Sequence, residues 1–436
     1  MTGPPPRGID PEVSSLGADL RRAAPGAARR GVLVAALALG LGQIPPLVMN
    51  LAGAGLAVVT ELRLGWLYTV ASNVAPIHLE RFDREGGSLG VLTFRIGLLS
   101  VTALLVWALA AAGARTADEV AATPIRRAVA GALVAITYVV PLAILGALVS
   151  MRLSTGGVLA PGAVLVRAEM PAAAVLPAVL GVVAGAAGGM STLRDREDRV
   201  RAALAGGWWM LTAALGLSMV GLLAVAALRP SGVQGYVDQL TSQEPEVAAL
   251  ILGHQALLLP NQATFVFVPA MGACDTVTLD GRRTDVLCVD RQPAGASPAD
   301  WLSSTLDASG AVPTRSAPWA ARLLLLVPAA AAAIGGRRAA AAAGAVAEGA
   351  LRAVFAAAVF AVLIGAVVWA STIVFTNGGP RGGLGPTQEL EIGAPAFDSA
   401  VYAAVWGAVV GGITGAIVGL RRRREMPRRE IADRTD

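Results

Sequence analysis

The sequence has no lysine: all 35 of its basic residues are arginine. With alanine and glycine dominant, this reads as the codon bias of a GC-rich bacterial genome and bears on the gene more than on the activity. Histidine and cysteine occur only twice each. Two thiols and two distant imidazoles do not make up a zinc site, and without a CxxC pair there is no redox motif. Charge is also scarce. Only 15% of residues are charged against 55% hydrophobic, and the mean hydropathy is +0.63, which excludes a soluble domain of this length. The pI near 10.0 would suggest nucleic acid in a soluble chain. Here the arginines flank apolar runs and no basic stripe is interleaved with aromatics, so they act as topology signals and nucleic acid is not a partner.

What the chain does have is apolar runs of the length a membrane helix needs, about 20 residues. Residues 1–30, with Pro4 to Pro6 and Arg21, Arg22, Arg29 and Arg30, read as a disordered basic tail. The run that follows is too long for a signal peptide and is interrupted by Pro45 and Pro46. Eight spans are expected: 31–59, 90–113, 128–150, 171–190, 202–228, 319–335, 350–375 and 400–420. The segment 61–87 reads as an interfacial element or short hairpin, and 151–170 is too polar to cross. Residues 31–271 and 319–420 thus form the membrane part. Residues 272–318 form an outer loop, and 421–436, opening with four arginines, a cytoplasmic tail.

The stretch 247–271 decides the sidedness. It is apolar enough to cross, yet carries His254, Gln255, Pro260, Asn261, Gln262 and Pro269. Without it, the eight spans put both arginine-rich ends on one side. The segments on that side hold 22 arginines against 13 acidic residues, and the opposite segments 13 against 17, as the positive-inside rule requires. A re-entrant or interfacial hairpin broken at Leu259-Pro260-Asn261 keeps this arrangement; a full crossing of 247–271 would misplace an arginine-rich segment. The expected fold is therefore all-α, a polytopic transmembrane bundle of eight spans plus one such hairpin, in a bacterial plasma membrane with both termini cytoplasmic.

Cys274 and Cys288 fall in the outer loop, where a lone pair is most simply a disulfide. Polar residues at membrane depth are functional candidates, since burying them unpaired is costly. Gln43, Asn50, His254, Gln255, Asn261 and Gln262 could line a polar cavity, or His254 and Asn261 could instead satisfy the backbone of the broken hairpin. No helix centre carries an acidic residue, which speaks against an ordinary ion-coupled transporter. Asp195, Glu197 and Asp198 alternate with arginines and read as a self-neutralising loop. Sequence motifs of nucleotide-binding, zinc-protease and serine-hydrolase sites are missing, so no catalytic residue and no cofactor is assigned. Glycines at every fourth position, Gly181, Gly185 and Gly189, then Gly407, Gly411, Gly415 and Gly419, present bare backbone to another helix, within the bundle or between copies.

In layout the chain resembles the actinobacterial multi-pass membrane family of unknown function that includes the mycobacterial cell-division protein PerM. The likeness rests on the Leu259-Pro260-Asn261 break with its apolar tail to Gly272, GGPRGGLGP from Gly378 to Pro386, IGAP from Ile392 to Pro395, the placement of Trp66 and His78, and the glycine-rich last helix. The cysteine-bearing segment departs from that family's pattern. The resemblance implies a role in envelope or division-site assembly through protein contacts. Beside the lipid bilayer, the partners expected are other membrane proteins or further copies of this chain. The competing reading is a transporter or lipid-handling protein with a polar cavity at 247–271.

Overall fold

The computed structural model describes residues 11–51, 57–82, 88–120, 123–155, 162–191, 199–228, 257–293, 314–316, 319–378 and 388–432. Seven of its helices are long and apolar enough to cross a membrane. They are α1 (Pro11–Met49), α3 (Leu99–Ala117), the joined pair α4 (Pro124–Ala132) and α5 (Val134–Leu148), α6 (Ala172–Ser191), α7 (Arg199–Leu228), α10 (Val346–Ser371), and α11 (Ala396–Trp406) continued through a π-helical turn (Gly407–Gly411) into α12 (Gly412–Ala432). Shorter elements are α2 (Val58–Ser72), α8 (Leu259–Met271), and a 3-10 helix (Trp319–Leu325) running into α9 (Leu326–Ala339).

The helices are not the whole fold. Between them the chain forms β-hairpins: β1 (Ile77–Phe82) with β2 (Ser88–Arg95), β3 (Ser150–Thr155) with β4 (Gly162–Ala168), β5 (Asp275–Leu279) with β6 (Arg282–Leu287), and β9 (Ile373–Gly378) with β10 (Gln388–Gly393). Strands β7 (Arg291–Pro293) and β8 (Thr314–Ser316) make a separate two-stranded sheet. The four hairpins join into one eight-stranded antiparallel sheet. The helical bundle is as expected, and the sheet is an addition to it. Its strands are five to eight residues long with alternating side chains, such as Ile77-His78-Leu79-Glu80 in the segment read as an interfacial element or short hairpin, and that is the signature of a half-buried strand. A correction concerns 1–30. Residues 11–30 are helical, because Ala23 and Ala27 are buried in the bundle and Arg30 meets Glu119 at 2.6 Å.

The element order repeats. Among the described residues, α1, α2, β1–β2, α3, α4–α5, β3–β4, α6 is followed by α7, α8, β5–β6, the inserted β7–β8, the 3-10 helix with α9, α10, β9–β10, α11–α12. The correspondence reaches individual core positions. A shift of 222 (131 to 353) carries the buried Gly131, Val134, Ala135, Tyr138, Leu142 and Gly146 onto the buried Ala353, Ala356, Ala357, Phe360, Ile364 and Val368. A shift of 176 (27 to 203) carries Ala27, Val34, Ala35 and Ala38 onto Ala203, Met210, Leu211 and Ala214, all buried. A shift of 223 (105 to 328) carries Leu105, Leu109, Ala112 and Gly113 onto Pro328, Ala332, Gly335 and Gly336. The chain is two copies of one helix-and-hairpin unit, and each packs its own core. One core is centred on Tyr138, Leu105 and Trp66, the other on Phe360, Met210 and Phe267.

The sheet has the same logic. Its order is β3-β4-β1-β2-β9-β10-β5-β6, so the quartet β3-β4-β1-β2 of the first unit is repeated as β9-β10-β5-β6 by the second. The quartets meet head to tail, β2 against β9. All strands lie at one end of the helices. At the other end Arg30 of α1 binds Glu119 just past α3, and Gly419 of α12 lies against Ala345 at the start of α10. The first and last helices therefore both reach the end remote from the sheet.

Candidate functional site at the junction of the units

The two units are stitched along β2 and β9. Leu92 faces Asn377 and Phe94 faces Phe375, with the phenyl rings 5.2 Å apart. Phe94 and Phe375 share a row with Ile77, Leu390 and Leu279, while the adjacent row holds Arg167, His78, Thr93, Thr376 and Glu389. Period-two alternation thus gives the sheet one apolar and one polar face. On the polar face His78 lies 3.7 Å from Glu169, and Arg167 3.9 Å from the buried Glu80. Arg95 stacks over the Trp369 ring at 4.6 Å. Burial lowers its pKa, and Glu391 and Glu389 raise it.

Below the sheet, Asn261 acts as a bracket. Its Oδ1 accepts from the Leu99 N–H at 3.2 Å and its Nδ2 donates to the Gly97 carbonyl at 2.6 Å. The second unit thereby caps the first turn of α3 in the first unit, whose N–H groups have no partner within the helix. The Ser100 hydroxyl donates to the Leu257 carbonyl, and the Gly97 N–H to the Ala370 carbonyl. Thr264 donates to the Ser371 hydroxyl at 3.0 Å. Pro260 stands in the first turn of α8, so the expected break at Leu259-Pro260-Asn261 is a helix start, where the missing N–H of proline costs nothing. With 13 residues, α8 is about 20 Å long, and it runs straight into β5.

The candidate polar residues are held by different elements. Gln43 donates to the Leu62 carbonyl and Asn50 to the Glu61 carboxylate, which ties α1 to α2, whereas Asn261 serves the junction. His254 and Gln255 lie outside the described residues, as do Asp195, Glu197 and Asp198; Gln262 is on α8 beside Asn261. A groove of about 400 Å³ runs between α1, α2 and α5, walled by Leu39, Leu62, Trp66, Leu145 and Val149. Of the candidate polar residues that are described, Gln43 lines it, beside Arg63, and the Gln43 Oε1 is buried there without a partner, as is the Trp66 Nε1.

The glycines pack inside the units. A Cβ on Gly181 would meet Ala135, one on Gly185 the Gly131 carbonyl, and one on Gly189 the Arg127 carbonyl. In the second unit Gly407 lies against Ala357, Gly411 against Gly336, Gly415 against Gly349 and Gly419 against Ala345. The contacts of Gly407 and Gly415 repeat those of Gly181 and Gly189 by shifts of 226 in one helix (181 to 407) and 222 in its partner (135 to 357), and Gly411 against Gly336 repeats the approach of Gly185 to Gly113, a shift of 223 (113 to 336).

Cys274 and Cys288 form a disulfide across the base of the β5–β6 hairpin, whose tip, Asp280-Gly281, takes positive φ at both residues as a type I′ turn needs. Asp285 lies near the sulfurs. Since these are bonded to each other, the trio offers one carboxylate and no thiolate. Next to the disulfide, Asp275 is buried with neither oxygen partnered, and burial pushes its pKa well above the usual carboxylate range. The junction itself escapes sequence reading. Its one legible signal is the pair of glycine ladders 226 residues apart. No protein-family model, curated protein or solved structure matches the chain.

Proposed function

We propose that this integral membrane protein is a non-enzymatic scaffold of a bacterial plasma membrane, supporting cell-envelope or cell-division machinery, with the sheet outside and both termini cytoplasmic. The observation that carries the reading is how its intramembrane polar groups are used. Gln43, Thr69, Asn261, Thr264 and Thr372 spend hydrogen bonds on neighbouring backbone, and helices approach to glycine contact in both units. Such an interior is built for rigidity. In this reading the 3-10 helix with α9, which packs beside α7 at Gly335, is counted as the eighth crossing, and the disulfide at the sheet end fits an oxidising exterior. The resemblance in layout to the family that includes PerM points the same way.

The test is cysteine scanning at Ala38, Thr69, Thr264 and Ser371 in intact cells with a membrane-impermeant thiol reagent. A scaffold leaves these positions unlabelled, whereas labelling that varies with the side of addition would establish a transport path. A fluorescent fusion concentrated at division sites supports the division role, and a uniform envelope distribution contradicts it.

A further inference from the structure

The sheet is open. Among the described residues its end strands are β3 and β6, and neither pairs with a further strand on its outer side. The unit correspondence identifies what fits them. β3 is the counterpart of β9, and β6 the counterpart of β2, and β2 and β9 pair with each other inside the chain. Each copy therefore displays, at its two ends, the two halves of an interface it has already made once in its middle. We propose that copies of this chain associate head to tail, the β6 edge of one pairing with the β3 edge of the next.

Three observations support this beyond the edges themselves. The register carries over with matched faces. Shifts of 192 (92 to 284) and 222 (155 to 377) place Thr284 opposite Thr155, as Leu92 lies opposite Asn377, and put position 153 opposite Val286, which stands on the sheet face that holds Phe94 and Phe375. The flanking helices carry over as well. Leu257, at the start of α8, packs on the core of the first unit, where Ser100 holds its carbonyl. Its counterpart on α2, by a shift of 198 (59 to 257), is Val59, which is 59% exposed beside the exposed Val58 and Leu62. The counterpart of Ser100, by a shift of 223 (100 to 323), is the exposed Leu323. The apolar start of α2 and Leu323 of the 3-10 helix thus correspond to the surfaces that the junction buries in the middle of the chain. Finally, the operation suits a membrane. The relation between units leaves every strand at the same end of the helices, so applying it again sets the next copy in the same bilayer with the same orientation. A contact of this head-to-tail kind closes into a ring or runs on as a row. The inference stands whether the molecule serves as a scaffold or as a transporter.

The experiment co-expresses two full-length variants with distinguishable tags, Thr155→Cys on one and Thr284→Cys on the other, and oxidises intact membranes. Head-to-tail pairing yields a two-tag cross-linked species, lost on reduction, several-fold above the level in either variant alone. Absence of that species in folded, membrane-inserted protein overturns the proposal. Equal cross-linking in a variant expressed alone also overturns it, because that reports like edges meeting. Adding Val59→Glu and Leu62→Glu to the Thr155→Cys chain, remote from the sheet registry, should abolish the two-tag species; an unchanged yield would contradict the part assigned to α2.

Discussion

At the scale of single residues, two side chains carry more than their share. Asn261 satisfies one N–H and one carbonyl of the β2–α3 turn. Its replacement by alanine leaves both buried, at about 1–3 kcal/mol per stranded group. Asn261→Ala should lower the melting temperature in detergent and separate the unfolding of the two units, whereas a single unshifted transition would mean the bracket is idle. Asp275 works the other way. Its pKa is raised by burial, so the folded chain keeps its proton at pH values where the unfolded chain, ionising near 3.8, has lost it. The unfolded state binds fewer protons in that window, so stability falls as pH rises above about 4 towards neutrality. Asp275→Asn should flatten this decline and be the more stable protein at pH 7. A slope unchanged by the substitution would show that Asp275 is not its source.

At the scale of elements, the glycine ladders were legible because spacing alone puts them on one face. The partners they approach were not, since nothing in a span names its neighbour. Gly185→Ala drives a Cβ to 2.5 Å from the Gly131 carbonyl and should cut the yield of folded protein sharply. Gly216→Ala, with open space around it, should leave yield unchanged, and equal losses would contradict the packing described. The hairpins were illegible for a physical reason. Strands of about six residues between membrane spans look like polar connections, and hydropathy averaged over a span hides their alternation. The disulfide was readable from placement, and it closes a loop worth about 3 kcal/mol of unfolded-state entropy. Cys274→Ser with Cys288→Ser should open the β5–β6 hairpin to protease or hydrogen exchange before the helices respond, and simultaneous exposure of both would show the hairpin has no independent stability.

At the scale of the molecule, the account is of one unit used twice. The sequence hid this because the shift between counterparts changes from 176 to 198, 222 and 226 along the chain, so no fixed period survives. What is kept at matching positions is size and burial, as in Tyr138 and Phe360 or Leu142 and Ile364, with identity confined largely to glycine and alanine. The helical bundle and the polar character of the stretch around Asn261 were readable. The sheet that binds the units, and the role of Asn261 in it, required the fold. The most direct test of the duplicated architecture is a cross-link at its centre, Leu92→Cys with Asn377→Cys, in a chain carrying a protease site within 192–198. After oxidation and cleavage the account predicts one full-length band without reductant and two half-length bands with it; two bands under both conditions would contradict the pairing of β2 with β9, and with it the joining of the two units.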